Sequence, residues 1–197
     1  MAREKEYFVH PNALVESETI GKNTRIWAFA HVLKNVKIGD DCNLCDYVFV
    51  ESDVTIGDRV TIKNGISVWT GVTIEDDVFL GPNCVLTNDL YPRSKAYSEH
   101  VKTLIKKGAT IGANATIICG NTLGKYCMVG AGAVVTKNVR DFELVIGNPA
   151  KFKYWVGKTG EKLVFNNDCI AADSNGNNYK ISLKEEDENK NFVTELT

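Results

Sequence analysis

Aliphatic residues recur along this chain with a period of six. From Leu14 onward, every sixth position is Leu, Ile or Val: Leu14, Ile20, Ile26, Val32, Ile38, Leu44, Val50, Ile56, Ile62, Val68, Ile74, Leu80 and Leu86. A second run follows in Ile105, Ile111, Ile117, Leu123, Val129 and Val135. Four places after each key residue comes another inward candidate, generally smaller. These include Val36, Cys42, Val48, Val54, Val60, Ile66, Val72, Val78 and Cys84, then Ala109, Ala115, Asn121, Cys127, Ala133 and Val139. Gly often follows the key aliphatic directly, as at Gly21, Gly39, Gly57, Gly81, Gly112, Gly124 and Gly130. Its backbone freedom suits a corner.

A period of six is neither the helical period nor the alternation of a simple strand. It predicts short strands separated by corners and wound into an all-β solenoid. Three hexads close one triangular coil, so every eighteenth residue should stack, with coils about 4.8 Å apart. The run accounts for roughly six coils and a prism about 30 Å tall. Leu86 and Ile105 are 19 positions apart, where one hexad needs six. The surplus predicts a loop extruded at about residues 87–104, polar and aromatic, with Pro92 and Arg93 in it. Loops on rigid scaffolds commonly carry function. The repeat ends near Asp141. Beyond it, Lys162–Phe165 and Tyr179–Leu183 read as short strands around a turn at Ser174-Asn175-Gly176-Asn177. Lys184–Thr197 is a charge-rich end expected to be mobile. The organisation expected is a solenoid domain over residues 1–157 and a small C-terminal hairpin appendage over 158–197.

Composition narrows the function. The chain has 197 residues, 44% hydrophobic and 24% charged, with a formal net charge of -2. That is an ordinary soluble balance. It gives no electrostatic reason to expect nucleic acid or an anionic membrane as partner. The charged opening Met1–Glu6 leads into no apolar segment, so the cytoplasm is the expected compartment. There the six cysteines would be reduced. Cys42 and Cys45 form a CxxC, but no second pair follows. The repeat already accounts for Cys42 as a small inward residue.

Two later segments carry a resemblance. Gly130-Ala131-Gly132-Ala133-Val134-Val135-Thr136-Lys137 and Gly147-Asn148-Pro149-Ala150-Lys151, with the hexads themselves, resemble the hexapeptide-repeat acyltransferases over roughly residues 8–155. The resemblance implies a left-handed parallel β-helix, although parallel crossovers are ordinarily right-handed. It also implies a homotrimer with acetyl-CoA along the groove between neighbouring subunits and no metal. Ala131, Gly132, Lys137, Asn148, Pro149 and Lys151 would line that groove. Small residues would admit the pantetheine arm, and Lys137 and Lys151 would meet phosphates as point charges.

Ile26-Trp27-Ala28-Phe29 and Thr87-Asn88-Asp89-Leu90-Tyr91-Pro92-Arg93-Ser94 narrow the match. They look like the N-acetyltransferases of nucleotide-linked 3-amino sugars. These act on dTDP-3-amino-3,6-dideoxyhexoses or a UDP-linked 3-amino-glucuronate during surface glycan biosynthesis. The implied catalytic residue is Asn88, its amide oxygen accepting a hydrogen bond from the sugar amine. Register places Asn88 over Thr70, Ser52 and Lys34 on one edge. Relatives often carry an acidic residue at the position of Thr70, and this chain does not. Thr70 and Asp89 are candidate substrate contacts. Arg93 could clamp a diphosphate or carboxylate, and Tyr91 could stack on the base or sugar.

A sugar amine titrates near pH 8, like an α-amino group. A useful fraction is therefore already nucleophilic, and a strong base is less necessary than for a hydroxyl. Of the three histidines, His31 is the candidate base, with His100 behind it. Register puts His31 on another face from Asn88 within one chain, though a neighbouring subunit could return it. Competing readings are an O-acetyltransferase, which needs a real base, and a non-catalytic scaffold. A zinc lyase would need three histidine ligands at a spacing that His10, His31 and His100 do not have.

Overall fold

The computed structural model describes residues 6–96, 99–182 and 191–196. Met1–Lys5, Tyr97, Ser98, 183–190 and Thr197 lie outside the described residues, and with them most of the charge-rich end. The described residues form strands and turns with no helix. Most strands are two residues long and run in three stacks. The chain is a left-handed parallel β-helix, and its stacks are the faces of the prism.

The first face begins with Phe8–Val9, Arg25–Ile26, Asn43–Leu44 and Thr61–Ile62. It is a nine-stranded sheet whose last strand, Lys151–Trp155, lies antiparallel to Glu143–Ile146. The second face carries His31–Val32, Phe49–Val50 and Ser67–Val68, then Val85–Leu86, Thr116–Ile117 and Val134–Val135. The third carries Thr19–Ile20, Lys37–Ile38, Thr55–Ile56, Val72–Ile74, Thr103–Ile105 and Thr122–Leu123. Eight parallel rungs on the first face exceed the six coils expected. The solenoid starts before Leu14, at Phe8, and continues past Val135 to Val145.

Both inward columns fill one continuous core. Ile26, Leu44, Ile62, Leu80, Ile111 and Val129 are fully or almost fully buried, as are Val36, Val54, Val60, Ile66, Ala109 and Ala115. Each Leu or Ile removed from water stabilises the coil by about 1.5–3 kcal/mol. The first coil departs from the period. Leu14 pairs with His31 and is 56% exposed, while Val15 pairs with Val32 and packs against the core. The step from Val15 to Ile20 is five residues. Buried Ser17 sits at this shortened corner. Its hydroxyl donates to the Val36 carbonyl at 2.6 Å and accepts from the Thr19 N–H.

The corners also differ from the expectation. The left-handed residue is the third after each key aliphatic, as at Asn23, Asn35, Asp41, Asp53, Asn83 and Gly65. Asn, Asp and Gly tolerate this conformation best. Glycines directly after the key residue serve close approach instead. A Cβ on Gly39 would meet the Gly57 carbonyl carbon at 2.6 Å and collide with the Asp58 carboxylate. That carboxylate is needed there, because it accepts the Asp40 N–H at 2.9 Å; Asp40 does the same for Lys22, and Asp76 for Asp58. The Gly-Asp pairs thus build a column of carboxylates bonded to the backbone of the coil below. Phe29, Tyr47, Arg59 and Tyr126 break the rule, taking positive φ with large side chains, and the exposed rings of Phe29 and Tyr47 stack at 5.0 Å.

The C-terminal appendage has three strands rather than two. Ile170–Ala172, Asn178–Ser182 and Phe192–Leu196 form an antiparallel sheet. Lys162–Phe165 is not a strand, and only Lys162 bridges to Val156. Phe192–Leu196, expected as part of a mobile end, buries Val193 in a second cluster with Phe142, Trp155, Leu163, Ala171 and Tyr179. Tyr179 is fully buried. Its hydroxyl donates to Asp173 at 2.6 Å and accepts the Lys158 N–H at 2.9 Å.

Gly39→Ala should destabilise the protein by about 1–3 kcal/mol through overpacking. Urea unfolding of the two proteins checks this, and a wild-type midpoint in the variant would remove the close-approach account.

Candidate active site

The extruded loop leaves the second face after Leu86 and returns at Thr103. The solenoid passes the interruption in register: Leu86 pairs with Ile117, and Ile74 with Ile105. Beneath the loop, the second-face ladder breaks between Ser67–Val68 and Val85–Leu86. The indole N–H of Trp69 fills part of the gap, donating to the Leu86 carbonyl at 2.8 Å. Two backbone bonds pin the base of the loop. Val101 N–H donates to the Asn88 carbonyl at 2.8 Å, and Thr103 N–H to the Gly71 carbonyl at 3.0 Å.

Asn88 is half-buried at the corner following the second face, directly over Thr70 as register arithmetic requires. Its Nδ2 lies 3.4 Å from the Thr70 carbonyl and 3.1 Å from Nδ1 of His100. Thr70 is fully engaged: its hydroxyl donates to the Ser52 carbonyl at 2.9 Å, and its N–H to Glu51 at 2.8 Å. Asp89 turns the chain outward by accepting the Tyr91 N–H at 2.8 Å. Tyr91 is 83% exposed, and Arg93 is exposed with its guanidinium on the Pro92 carbonyl. Neither reaches Asn88 within one chain.

Within one chain His31 is not brought to Asn88, as register arithmetic requires. It lies on the second face three rungs below Val85, roughly 14 Å along the axis, with Phe49 and Trp69 between them. Its Nε2 is 3.0 Å from Glu16, and its ring sits edge-on to Phe49 at 5.6 Å. His100 is the histidine that the fold delivers to Asn88. The loop's return, pinned by Val101 on the Asn88 carbonyl, brings residue 100 beside residue 88.

The same edge leads upward from Asn88 through Cys119 to Lys137, because Leu86, Ile117 and Val135 stack in register. Lys137 stands two rungs above Asn88, roughly 10 Å away along the axis. There a groove of about 780 Å³ opens, lined by Lys137, Arg140, Val145, Ala150, Lys151 and Phe152 among others. Lys137 and Lys151, placed in the cofactor set by the family resemblance, both line it. Asn148 and Pro149 lie in an exposed turn whose ends bond to Val134: Val134 N–H to the Gly147 carbonyl, and Ala150 N–H to the Val134 carbonyl. Ala131 and Gly132 occupy the preceding corner, where nothing lies within 4 Å of a Cβ position on Gly132. Arg140 went unread in the sequence. It forms a two-pronged pair with buried Glu143, lies 4.6 Å from the Trp155 ring centre, and donates to the Asn191 carbonyl at 2.8 Å. The appended sheet thereby holds one wall of the groove.

No thiol is poised as a nucleophile at Cys42, Cys84 or Cys127. Burial pushes the Cys84 thiol up to about 12, and burial likewise raises Cys42 and Cys127. Cys42 faces inward toward the Gly57 carbonyl, whereas the Cys45 sulfur accepts from the Asn43 amide. The CxxC is therefore two unconnected residues of the repeat.

The hexads match the family profile "Bacterial transferase hexapeptide (six repeats)" at residues 19–52 and 53–88. The profile "Hexapeptide repeat of succinyl-transferase" matches at 103–137. The chain is 56% identical over 159 residues to a dTDP-3-amino-3,6-dideoxy-alpha-D-galactopyranose 3-N-acetyltransferase from Aneurinibacillus thermoaerophilus, covering 80% of this chain and 83% of that protein. The chain belongs to the hexapeptide-repeat acyltransferases, in the subgroup of nucleotide-linked amino-sugar N-acetyltransferases. Two solved acyltransferases have the same fold. One is a GDP-perosamine N-acetyltransferase from Caulobacter crescentus bound to CoA and GDP-perosamine. It has a TM-score of 0.52 at 26% identity, with 74% of this chain and 55% of that one covered. The other is an N-acyltransferase from Bacillus cereus with dTDP and coenzyme A. It has a TM-score of 0.57 at 19% identity, covering 74% and 86%.

In this acyltransferase, Cys84 and Cys127 should stay unlabelled by iodoacetamide at pH 8 until the protein is unfolded. Mass mapping of labelled peptides checks it; rapid native labelling of either would contradict the burial described.

Proposed function

We propose that the protein transfers acetyl from acetyl-CoA to the 3-amino group of a dTDP-linked 3-amino-3,6-dideoxyhexose. The observation that carries this is the 56% identity to an enzyme of that named activity. A 159-residue match in a 197-residue chain necessarily spans both the Asn88 loop and the groove. The edge shared by Asn88 and Lys137 supports the same reading, since it sets an acceptor position beside a long cationic groove.

In this reading, Asn88 Oδ1 accepts an N–H of the sugar amine and points its lone pair at the thioester carbon. Nitrogen attacks, the carbonyl oxygen becomes an oxyanion met by a backbone N–H, and the C–S bond then breaks. The departing thiolate or water takes the proton lost by nitrogen. Lys137 and Lys151 receive the phosphates of CoA. Thr70 and Asp89 shape the acceptor side, and Tyr91 and Arg93 act on the nucleotide. The exposure of these last two within one chain suits a site completed by a neighbouring subunit, in a homotrimer. We place the acyltransferase unit at residues 1–157, with 158–197 appended. No helix among the described residues is long and apolar enough to cross a membrane. Free cysteines throughout the described chain fit a reaction carried out in the cytoplasm.

Turnover of acetyl-CoA should be fastest with the dTDP-linked 3-amino sugar, slower with UDP-linked 3-amino sugars, and absent with hydroxyl acceptors. Asn88→Ala should lower kcat/KM roughly 100-fold, as removal of one positioned polar group does. Lys151→Ala should raise KM for acetyl-CoA about tenfold, one charge-assisted contact being worth about 1.4 kcal/mol. Thiol release measured across an acceptor panel tests all three. Turnover only with a hydroxyl acceptor would replace this reading by O-acetylation.

A further inference from the structure

Asn88 and His100 stand at the two ends of the loop, where the chain leaves the coil and where it returns. The Val101–Asn88 backbone bond holds these ends together. Gly71 faces the returning chain with φ 94, its Cβ position 3.6 Å from the Cβ of His100. Any side chain there would be strained, so the conformation that seats His100 is reserved for glycine.

The amide of Asn88 is oriented by elimination. The Thr70 carbonyl can only accept a hydrogen bond, so the NH2 end of Asn88 must face it. The same NH2 lies 3.1 Å from His100 Nδ1. Nδ1 must therefore be the acceptor, and the ring proton is on Nε2. The one lone pair of the neutral imidazole is spent on Asn88. A general base needs that lone pair aimed at the reacting proton.

We propose that His100 is a positioning residue that fixes the Asn88 carboxamide, and not a base. This rests on the role given to Asn88 in the proposed function. An unsupported carboxamide rotates between two similar orientations. Flipped, it would offer N–H to the amine and occupy the lone pair that attacks. With both N–H groups held by Thr70 and His100, Oδ1 alone is presented to the acceptor. Its bond to the amine strengthens as nitrogen gains positive charge, so losing His100 should lower kcat more than it changes KM.

The test uses three variants of the full chain. His100→Ala should lower kcat about tenfold, with KM for the nucleotide sugar changed less than threefold. His100→Asn sets a carbonyl oxygen where Nδ1 was and should recover most of the loss. His100→Gln sets its amide at the Nε2 position and should not. In the Asn88→Ala background, His100→Ala should cost nothing further, because its effect passes through Asn88. A His100→Asn protein as impaired as His100→Ala, or an added loss in the double variant, overturns the proposal. If Asn88→Ala is itself fully active, the role of Asn88 fails separately. Nitrogen-15 NMR of the imidazole reads the geometry without turnover. The ring proton should be on Nε2 in the wild type, and a predominant Nδ1–H form would overturn the proposal even in an inactive protein.

Discussion

The backbone bond between one coil and the next governs this molecule. Each two-residue strand is too short to persist alone and survives only because its N–H and C=O groups meet the coils above and below. That pairing repeats every eighteen residues for most of the chain, as in Thr61 with Phe79 and Ile62 with Leu80. Once it is fixed, every column is fixed too. Aliphatics point inward, Asn, Asp and Gly take the left-handed corners, and a carboxylate column rests on glycines that leave it room. The loop is tolerated because it leaves and rejoins without shifting a rung.

Function follows from what the register puts on one edge. Asn88, Cys119 and Lys137 lie far apart in sequence yet form one line. Asn88, the proposed acceptor position, and the mouth of the groove become neighbours through stacking alone. The scaffold supplies rigidity, and the loop adds His100 to a carboxamide that the coil has already placed. The C-terminal sheet contributes at the other end, where the Asn191 carbonyl and buried Glu143 hold Arg140 against Trp155.

Much of this could be read from the residues. The period gave the coil, the column of key residues gave the core, and eighteen-residue arithmetic placed Asn88 over Thr70 and Ser52. What escaped was whatever the period does not control. Val15 displaces Leu14 because one corner lost a residue, a change that leaves both candidates aliphatic. Left-handed corners were misassigned to Gly39 and its equivalents because close approach and positive φ favour the same amino acid. Phe192–Leu196 has no repeat to announce it. His100 lay beyond the arithmetic, since loop residues have no rung and only the pinning of Val101 to Asn88 brings it back.

A crystal structure with CoA and a dTDP-linked 3-amino-3,6-dideoxyhexose would test the central claim most directly. The distance to measure is from Asn88 Oδ1 to the sugar nitrogen. The account predicts about 2.8–3.2 Å, with the CoA sulfur on the opposite side of that nitrogen and its phosphates near Lys137 and Lys151. A sugar amine bound away from the Asn88 edge, or a CoA arm outside the groove beside Lys137, would contradict it.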